Sequence, residues 1–396
     1  MEVEELNKHR FVVFCEDHYN PLGAVRSIGE AGIKPDVILV ASHKPRMIPY
    51  SKYLGELVMV SNIKEGYDHL IAKYSSFLEK TFIITCSDDI ESYLDMHYEE
   101  LKHHFYFFDG ASQGQITRVM EKNEMCRLAV ECGLQIPKTE ELKVGELPQN
   151  LRYPVMTKSV ISTVANWKSN VHICENEQEL LDAYKEINED RINVQEFIEK
   201  ENELCIDGLS INGGEELYMP IQSSYLRFTP KSYGNYILFE KFKEIALYDK
   251  IHELFKKTHF TGVFSIEFLK DKKGNFYFLE INFRNSTWSY AHTVEGVNLP
   301  IIWAKSVLAG HLDVSDVKIK EDVFTAMVEE SDFRESVLKK KISLRQWIKD
   351  VKGCACLFIY NKKDPKPFWK YISSEANRLI KKSYLERNKR SYIGKK

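Results

Sequence analysis

Five short apolar runs alternate with helical patterns over the first 109 residues, and no other feature constrains the fold of this chain as strongly. The runs are FVVFCE (11–16), DVILVA (36–41), LVMV (57–60), FIITCS (82–87) and FYFF (105–108). Strands that alternate with helices at this spacing predict a parallel sheet with helices on its faces. No G-x-G-x-x-G turn follows the first run, so a dinucleotide site of the usual kind is not supported.

Composition and charge exclude several classes of protein. Of the 396 residues, 43% are hydrophobic and 29% are charged, which is typical of an ordinary globular protein. The 55 Lys and Arg residues nearly balance the 58 Asp and Glu residues, so we expect no nucleic-acid partner for the chain as a whole. The charged start and the lack of any long apolar run predict a cytoplasmic location. The eight cysteines lie mostly in apolar runs and are expected to be reduced.

The segment from Thr261 to Asn285 carries the most informative pattern. Two alternating strands flank the turn KKGN, and a pairing of Glu267 opposite Glu280 leaves a four-residue loop, a plausible hairpin length. With a period of two, Glu280 and Asn282 share one face of their strand. Two carboxylates and an amide oxygen then converge, and Mg²⁺ held against phosphates requires such hard oxygen ligands. An exposed polar hairpin face is the alternative.

A lysine, an apolar strand and an acidic turn precede this hairpin. Lys158 ends the run YPVMTK, where its ammonium could lie along phosphates as a point charge. The run VQEFI at 194–198 could present backbone groups to a purine edge, and an acid of the following Glu-rich turn could bind ribose hydroxyls. Each of these features also occurs alone in proteins that bind no nucleotide. Their order before the hairpin makes a chance combination harder to accept.

In this order, the residues resemble the ATP-grasp superfamily from about residue 10 to 312. The string FLEINFR (278–284), with GVNLP downstream, is similar to the branch that contains biotin carboxylase, carbamoyl-phosphate synthetase and D-aspartate ligase. The strings NPLGAVRS (20–27), SYGNY (232–236) and DPKP (364–367) resemble D-aspartate-ligase-like carboxylate–amine ligases more specifically. The resemblance implies an α/β fold, with a pre-ATP-grasp parallel domain, a two-part α+β ATP-grasp domain and a C-terminal extension.

Changes in the predicted secondary structure along the chain set the predicted domain boundaries. A helix predicted at 115–133 leads out of the parallel domain, and shorter strands with glycine-bearing turns follow from about 151. We expect the pre-ATP-grasp domain over 1–112, the ATP-grasp domain over 113–315 (a small lid part over about 140–196, a large part over about 197–315) and the extension over 316–396.

Carried over position by position, the resemblance also implies a nucleotide site for ATP. Two lysines would hold the phosphates, three residues would line the adenine pocket and one acid would bind the ribose. In that order they are Lys122 and Lys158; Gln195, Glu196 and Ile198; and Glu203.

The resemblance assigns the metal and the reacting groups in the same way. Glu267, Glu280 and Asn282 would bind Mg²⁺, for which Mn²⁺ is an alternative. Arg284 would sit over the reacting acyl phosphate. Arg227 is our candidate for the acceptor or phosphate side, and a solvated cation is the ordinary reading of it.

The activity implied by the resemblance is that of an ATP-dependent carboxylate–amine ligase. It would form an amide through an acyl phosphate from small-molecule carboxylate and amine substrates, for example D-aspartate or another amino acid added to a cell-envelope precursor. Residues 159–168 contain no glycine, unlike the phosphate-covering loop of many relatives, which keeps open a nucleotide-binding module without ligase activity. A carboxylase acting through carboxyphosphate is a third reading, and the chain lacks a biotinyl-attachment Met-Lys-Met stretch.

The end of the chain is strongly basic. Residues 381–396 contain seven Lys or Arg and one Glu, so this segment carries +6 while the rest of the chain sums to −9. A solvated tail is the simple interpretation. Weak attraction to an anionic membrane surface or to a phosphate-bearing envelope precursor is the functional one. Relatives of this architecture are often dimers, so a homodimer is a further expectation.

Overall fold

The computed structural model describes residues 3–159, 170–227 and 234–378. Three predicted features fall at least partly outside these residues: the glycine-poor loop after Lys158, the first two residues of SYGNY, and the basic end of the chain. The chain forms two compact units. Unit 1 comprises Met1–Leu128, Cys205–Glu267 and Glu280–Lys396, and unit 2 comprises Ala129–Leu204 and Phe268–Leu279.

A five-stranded parallel sheet in unit 1 confirms the prediction made from the alternating pattern. Neighbouring strands follow the order β3-β2-β1-β4-β5, and each neighbouring pair is parallel. The central strands are buried almost throughout, which explains why they read as continuous apolar runs rather than as alternating ones. The strands are β1 (Phe11–Glu16), β2 (Asp36–Val40), β3 (Leu57–Val60), β4 (Thr81–Thr85) and β5 (Phe105–Tyr106).

The order of these strands creates a topological switch point. After β1 the chain adds β2 and β3 on one side, and it then returns to add β4 and β5 on the other side. The carboxyl ends of β1 and β4 therefore meet, at the place where open α/β sheets bind their ligands. The helices of this region are α1 (Val3–Leu6), α2 (Tyr19–Glu30), α3 (Ile63–Tyr74), α4 (Asp88–Asp95) and α5 (Tyr98–Leu101).

The single helix predicted at 115–133 is two helices in the structure, α6 (Gln115–Met120) and α7 (Lys122–Glu131). Glu121 between them has an extended backbone, with φ −61° and ψ 125°, and this interrupts the helical hydrogen-bond ladder. Arg118 near the end of α6 pairs with Glu124 in the first turn of α7 across the break, with 2.7 Å between Nη1 and Oε1.

Unit 2 contains a four-stranded antiparallel sheet in the order β6-β9-β7-β8, with α8 (Glu177–Tyr184) as its helix. Leu180 of the helix packs with strand residues Val155, Ile192 and Val194 in one buried cluster. The sequence predicts this helix over 176–188, and Asn176 begins it by accepting a hydrogen bond from the Glu179 backbone N–H. The strands are β6 (Thr139–Lys143), β7 (Val155–Ser159), β8 (Ile173–Cys174) and β9 (Arg191–Glu196).

A seven-stranded sheet forms the largest layer, in the order β14-β13-β10-β11-β12-β15-β16. β10, β11, β12 and β15 pair antiparallel in turn, and β15 and β16 are parallel. Its strands are β10 (Lys200–Ile211), β11 (Glu216–Arg227), β12 (Tyr236–Lys241), β13 (Gly262–Asp271), β14 (Phe276–Asn282), β15 (Val323–Met327) and β16 (Cys356–Leu357).

The later helices of unit 1 are α9 (Ile245–Thr258), α10 (Ser289–Val294), α11 (Leu299–Ala309), α12 (Glu329–Asp332), a π-helical turn (Phe333–Leu338), α13 (Leu344–Gly353) and the helical residues 366–378. None of the helices in the described part of the chain is long and apolar enough to cross a membrane.

A buried ion pair joins the C-terminal extension to α2. Arg26 and Asp364 have side chains that are 0% and 1% exposed, and 3.1 Å separates Nε from Oδ2. The guanidinium also donates to the backbone carbonyls of Phe358, Ile359 and Asp364. The Asp364 carboxylate in turn accepts hydrogen bonds from the Ser51 hydroxyl and the Lys52 backbone N–H. Both charges are thereby compensated inside the protein.

We expect Arg26→Met to lower the free energy of unfolding by about 3–5 kcal/mol, because it leaves the buried Asp364 carboxylate without its cation. Urea denaturation measures the loss. The double variant Arg26→Met/Asp364→Leu removes both charges and should recover part of it. Lys363→Ala is the control, since the exposed Lys363–Glu30 pair contributes at most about 1 kcal/mol. Equal stability of Arg26→Met and wild type would contradict this interpretation.

Candidate functional site

The hairpin of β13 and β14 brings the predicted metal ligands together in unit 1. Four residues, 272–275, connect the strands, as the sequence predicts. Asn282 Nδ2 donates to Glu267 Oε1 at 3.2 Å, so the amide of one strand meets the carboxylate of the other. Asn282 is buried, whereas Glu280 remains exposed to solvent. One face of the hairpin therefore combines two carboxylates with one amide.

Arg284 follows the hairpin and is held by two side chains. Its Nε and Nη2 atoms donate to the two oxygens of Asp88 at 2.9 and 3.3 Å, and Nη2 also donates to Asn282 Oδ1 at 2.9 Å. Asp88 is the first residue of α4, directly after the switch-point end of β4. The guanidinium is thus fixed beside the predicted metal ligands by a residue about two hundred positions earlier in the chain.

These residues line a cavity of about 440 Å³, which we call the carboxylate cavity. Glu267, Glu280, Asn282 and Arg284 all contribute to its wall. Two carboxylates and an amide oxygen fit Mg²⁺, which takes one or two protein carboxylates and keeps several waters. Within the described residues there is no cluster of three or more His, Cys, Asp or Glu side chains that could hold a metal ion.

The groups around Glu280 shift its pKa in opposite directions. Glu280 keeps exposed surface, but the protein atoms around its carboxyl group partly remove that group from water and raise its pKa above the ordinary value. The Asp88 carboxylate raises the pKa further. Arg284 and Lys122 lower the pKa of the same carboxyl, as does its hydrogen bond with Asn282. Lys122 begins α7, so the structure brings this predicted phosphate lysine within electrostatic reach of the carboxylate cavity. A bound cation would hold Glu280 in its charged form.

Arg227 has carboxylate partners in the structure. Its Nε and Nη2 donate to the two oxygens of Asp332 at 3.0 and 2.8 Å, and Nη1 donates to Asp350 at 2.8 Å. The guanidinium also lies over the Tyr236 ring, 4.7 Å from its centroid. These contacts join β11 to α12 and α13, and the substrate contact expected for Arg227 stays a prediction.

Unit 2 holds the predicted adenine residues and the strand lysine. Lys158 Nζ donates to Gln195 Oε1 at 2.6 Å, so two residues assigned to the same nucleotide are neighbours across β7 and β9. Gln195 Nε2 donates to the Thr139 hydroxyl at 2.7 Å. The Glu196 backbone N–H is bonded to the Lys138 carbonyl. Ile198 follows β9 and is partly buried.

Glu203, the predicted ribose acid, lies on β10 in unit 2. Its carboxylate pairs with Lys200 at 2.7 Å, and both side chains are mostly buried. Asn202 Oδ1 accepts a hydrogen bond from the Glu203 backbone N–H. A ribose would therefore have to share Glu203 with this lysine.

A buried acid and a buried histidine form a second titratable pair in unit 1. Asp207 Oδ2 and His292 Nε2 are 3.3 Å apart, and both side chains are fully buried. Burial raises the pKa of Asp207 to about 7, although Ser286, Ser265 and Arg284 limit the rise. Burial lowers the pKa of His292 to about 3. Between pH 4 and 6.5 the folded pair therefore holds one proton, on Asp207.

This pair predicts two pH slopes of opposite sign. In the unfolded chain between about pH 4 and 6.5, His292 holds one proton and Asp207 none, so wild type has no net slope from the pair. In Asp207→Asn only the unfolded state binds the proton, on His292, so the free energy of unfolding relative to wild type should rise by about 1.4 kcal/mol for each unit of increase in pH. In His292→Gln only the folded state binds the proton, on Asp207, so the relative free energy of unfolding should fall by a similar amount for each unit of increase in pH. Urea denaturation at three pH values tests this, and parallel profiles would contradict it.

Several residues of the site carry no recognisable signal in the sequence. Ser331, Arg334 and Glu335, from the end of α12 and the π-helical turn, also line the carboxylate cavity. A second cavity of about 400 Å³, the switch-point cavity, lies at the carboxyl ends of β1 and β4 and shares Arg284 and Thr287 with the first. For Asp88 the sequence does contain a signal, since this residue lies in the polar run that follows β4 and the carboxyl ends of strands at a switch point bind ligands.

Comparison with known proteins agrees with this architecture. D-aspartate ligase of Enterococcus faecium (strain Aus0004) is 25% identical over 249 residues, which cover 57% of this chain and 58% of that protein, so the chain matches less than two thirds of its length. L-amino acid ligase from Bacillus licheniformis matches with a TM-score of 0.59 and 16% identity, over 80% of this chain and 79% of its own. N5-carboxyaminoimidazole synthetase from Staphylococcus aureus, complexed with ADP, matches with a TM-score of 0.62 and 13% identity, over 84% of this chain and 86% of its own.

No protein-family profile matches the chain. The chain nevertheless shares its fold with these solved structures, which confirms the predicted α/β fold class, and together with the sequence similarity to D-aspartate ligase this confirms the resemblance to the ATP-grasp superfamily. The positions of the nucleotide and metal residues, and the boundaries of the three domains, stay predictions.

Proposed function

We propose that this chain is an ATP-dependent carboxylate–amine ligase that uses Mg²⁺. The observation that carries the proposal is the arrangement in the carboxylate cavity, where Glu267, Glu280 and Asn282 lie beside a guanidinium fixed by Asp88. Oxygen ligands next to a fixed cation suit a reaction in which phosphate charge must be neutralised. The names of the similar proteins, two of them amino-acid ligases, support the same class of reaction.

The first step joins two anions. An oxygen of the substrate carboxylate attacks the γ-phosphorus of ATP, the bond to the β–γ bridging oxygen breaks, and ADP leaves with the electron pair. Repulsion between the carboxylate and the phosphates would dominate the barrier without cations. Arg284 would stabilise the acyl phosphate, and Lys122 would add a second positive charge, since both lie within electrostatic reach of Glu280. Mg²⁺, when bound by Glu267, Glu280 and Asn282, supplies further neutralisation of the phosphates.

The second step forms the amide. The neutral amine attacks the acyl carbon, a C–N bond forms, the C–O bond to phosphate breaks, and the amine releases one proton. Water must be kept from the acyl phosphate during this step. We propose that Lys158, Gln195, Glu196, Ile198 and Glu203 contact ATP, as the resemblance implies.

The substrates proposed here are an amino acid and an amine on a larger acceptor. D-aspartate is the first acid to test, because a D-aspartate ligase is among the similar proteins, and a cell-envelope precursor is the first acceptor. A homodimer and a weak contact of the basic tail with anionic lipid complete the proposal.

Co-sedimentation of the protein with anionic vesicles should weaken on deletion of residues 381–396, because the deletion removes the basic charge. Unchanged co-sedimentation would contradict the lipid contact.

We expect Glu280→Gln to lower ATP- and Mg²⁺-dependent ADP release at least about a hundredfold, because an isosteric amide removes one of the two metal carboxylates. A coupled assay of ADP formation measures it. Glu253→Gln is the matched control, since Glu253 is an exposed acid on α9 outside the cavity. Near-normal turnover of Glu280→Gln would show that the metal assignment is wrong.

A nucleotide-binding module without ligase activity is the second candidate, and the glycine-poor sequence after Lys158 favours it. A screen of ADP release with paired acids and amines, including D-amino acids, separates the two. The ligase should release ADP only when both an acid and an amine are present. ATP binding without substrate-stimulated ADP release would support the module instead.

A further inference from the structure

The buried acid Asp207 has no part in the reaction as derived above. It lies on β10 beside His292, with 3.3 Å between Asp207 Oδ2 and His292 Nε2, and both side chains are fully buried. Neither carboxyl oxygen of Asp207 and neither ring nitrogen of His292 makes a hydrogen bond of ordinary geometry within the described part of the chain. Buried polar atoms without such partners destabilise a fold, and a role in the reaction is one reason for a protein to keep them.

Two serines adjoin both Asp207 and the carboxylate cavity. Ser265 and Ser286 line the cavity, and the hydroxyl groups of both lower the pKa of Asp207, which places them beside its carboxyl group. Asp207 itself has no exposed surface. The serine hydroxyls are therefore the groups through which Asp207 can act on a molecule in the cavity.

Ser286 is the better placed of the two serines to pass on a proton. Its Oγ accepts a hydrogen bond from the Trp288 backbone N–H at 3.0 Å, which leaves the hydroxyl hydrogen to be donated elsewhere. Ser265 Oγ lies 3.1 Å from the Cys205 thiol and shares its hydrogen bonding with that group. Ser286 also follows Arg284 by two positions, next to the guanidinium assigned to the acyl phosphate.

The acids in the wall of the carboxylate cavity are already engaged. Glu267 and Glu280 are the predicted metal ligands, and Glu335 forms an ion pair with Lys339. The amide-forming step releases one proton from the amine, and a group that receives such a proton in the transition state speeds the step by about a hundredfold or more. The reaction therefore calls for a base outside this set.

The groups around Asp207 leave it able to accept a proton near neutral pH. Burial raises its pKa to about 7, and Arg284 is the cation that opposes the rise. His292 on α10, with a pKa of about 3, is neutral at higher pH. Burial also raises the pKa of the Cys205 thiol, on the same strand, well above its ordinary value. Among these four groups, only Asp207 changes its charge between about pH 5 and 8.

We propose that Asp207 accepts the proton of the attacking amine and that it acts through the Ser286 hydroxyl. As the amine nitrogen bonds to the acyl carbon, its proton passes to Ser286 Oγ, while the hydroxyl proton of Ser286 passes to Asp207. The departing phosphate then takes the proton back along the same path. Ser286 touches the amine, and Asp207 is the positioning residue behind it. The inference rests on the proposed function and concerns its second step alone.

The two steps of the reaction separate this role from a structural one. Formation of the acyl phosphate needs ATP and the acid but no amine. It is measured by the movement of an isotopic label from the β–γ bridging oxygen of ATP into the nonbridging positions of the β-phosphate. Amide formation is measured as product when the amine is added. We expect Asp207→Asn to lower amide formation at least about a hundredfold and to leave the label exchange within about twofold of wild type.

Two further variants and a control sharpen the test. Ser286→Ala leaves the buried pair unaltered and should slow amide formation by a similar factor, and Ser286→Thr, which keeps the hydroxyl, should recover at least about tenfold of that loss. Asp36→Asn is the matched control, because Asp36 is also a buried acid and lies on β2, outside the cavity. We expect it to change neither rate.

The pH dependence supplies a readout that a structural role would not give. Asp207 must be charged to accept the proton, so the ratio of the wild-type to the Asp207→Asn rate of amide formation should rise about tenfold per pH unit below pH 7. Above pH 7 the ratio should level off. The titration of the amine itself cancels in this ratio.

Three results would overturn the proposal. Equal loss of label exchange and amide formation in Asp207→Asn would show a structural role. Normal amide formation in Asp207→Asn or Ser286→Ala would show that the departing phosphate takes the proton directly. Absence of label exchange in wild type with every acid tested would contradict the proposed function itself, and the wild-type measurement alone distinguishes this result from the other two.

Discussion

The buried contact of Arg26 with Asp364 is the interaction on which the arrangement of unit 1 depends. A guanidinium and a carboxylate removed from water cost several kcal/mol each unless every donor and acceptor finds a partner. The partners here are the carbonyls of Phe358, Ile359 and Asp364 itself, so the pair is compensated only when this part of the extension is docked on α2. The helical residues 366–378 follow directly along the chain.

The site itself is organised by the need to balance clustered carboxylates. Glu267 and Glu280 lie on one hairpin face, and Asp88 approaches from the parallel sheet. Asn282 donates to one carboxylate and accepts from Arg284, so a single amide connects the negative and positive groups. This balance of charges fits the reaction between anions that we propose.

Local sequence patterns were sufficient to predict strands, helices and turns, but not the side chains that pair across the fold. The parallel strands, the helix after Asn176 and the four-residue loop of the hairpin follow from periodicity and turn residues, which act over a few positions. The break at Glu121 was missed because the apolar pattern continues through it. The sequence offers Arg227 as a substrate contact or a solvated cation, and it does not reveal the partners Asp332 and Asp350, which lie more than a hundred positions away.

The sequence by itself determined the α/β sheet of unit 1 and the hairpin, and it led to the prediction of the oxygen ligands, because each depends on the spacing of neighbouring residues. The tertiary structure alone decided that Asp88 holds Arg284, that Arg26 anchors the extension, and that Arg284 and Thr287 line both the carboxylate cavity and the switch-point cavity. The physical reason is that charges are compensated through space. A carboxylate selects its partner by distance and burial, and neither quantity can be read from positions along the chain.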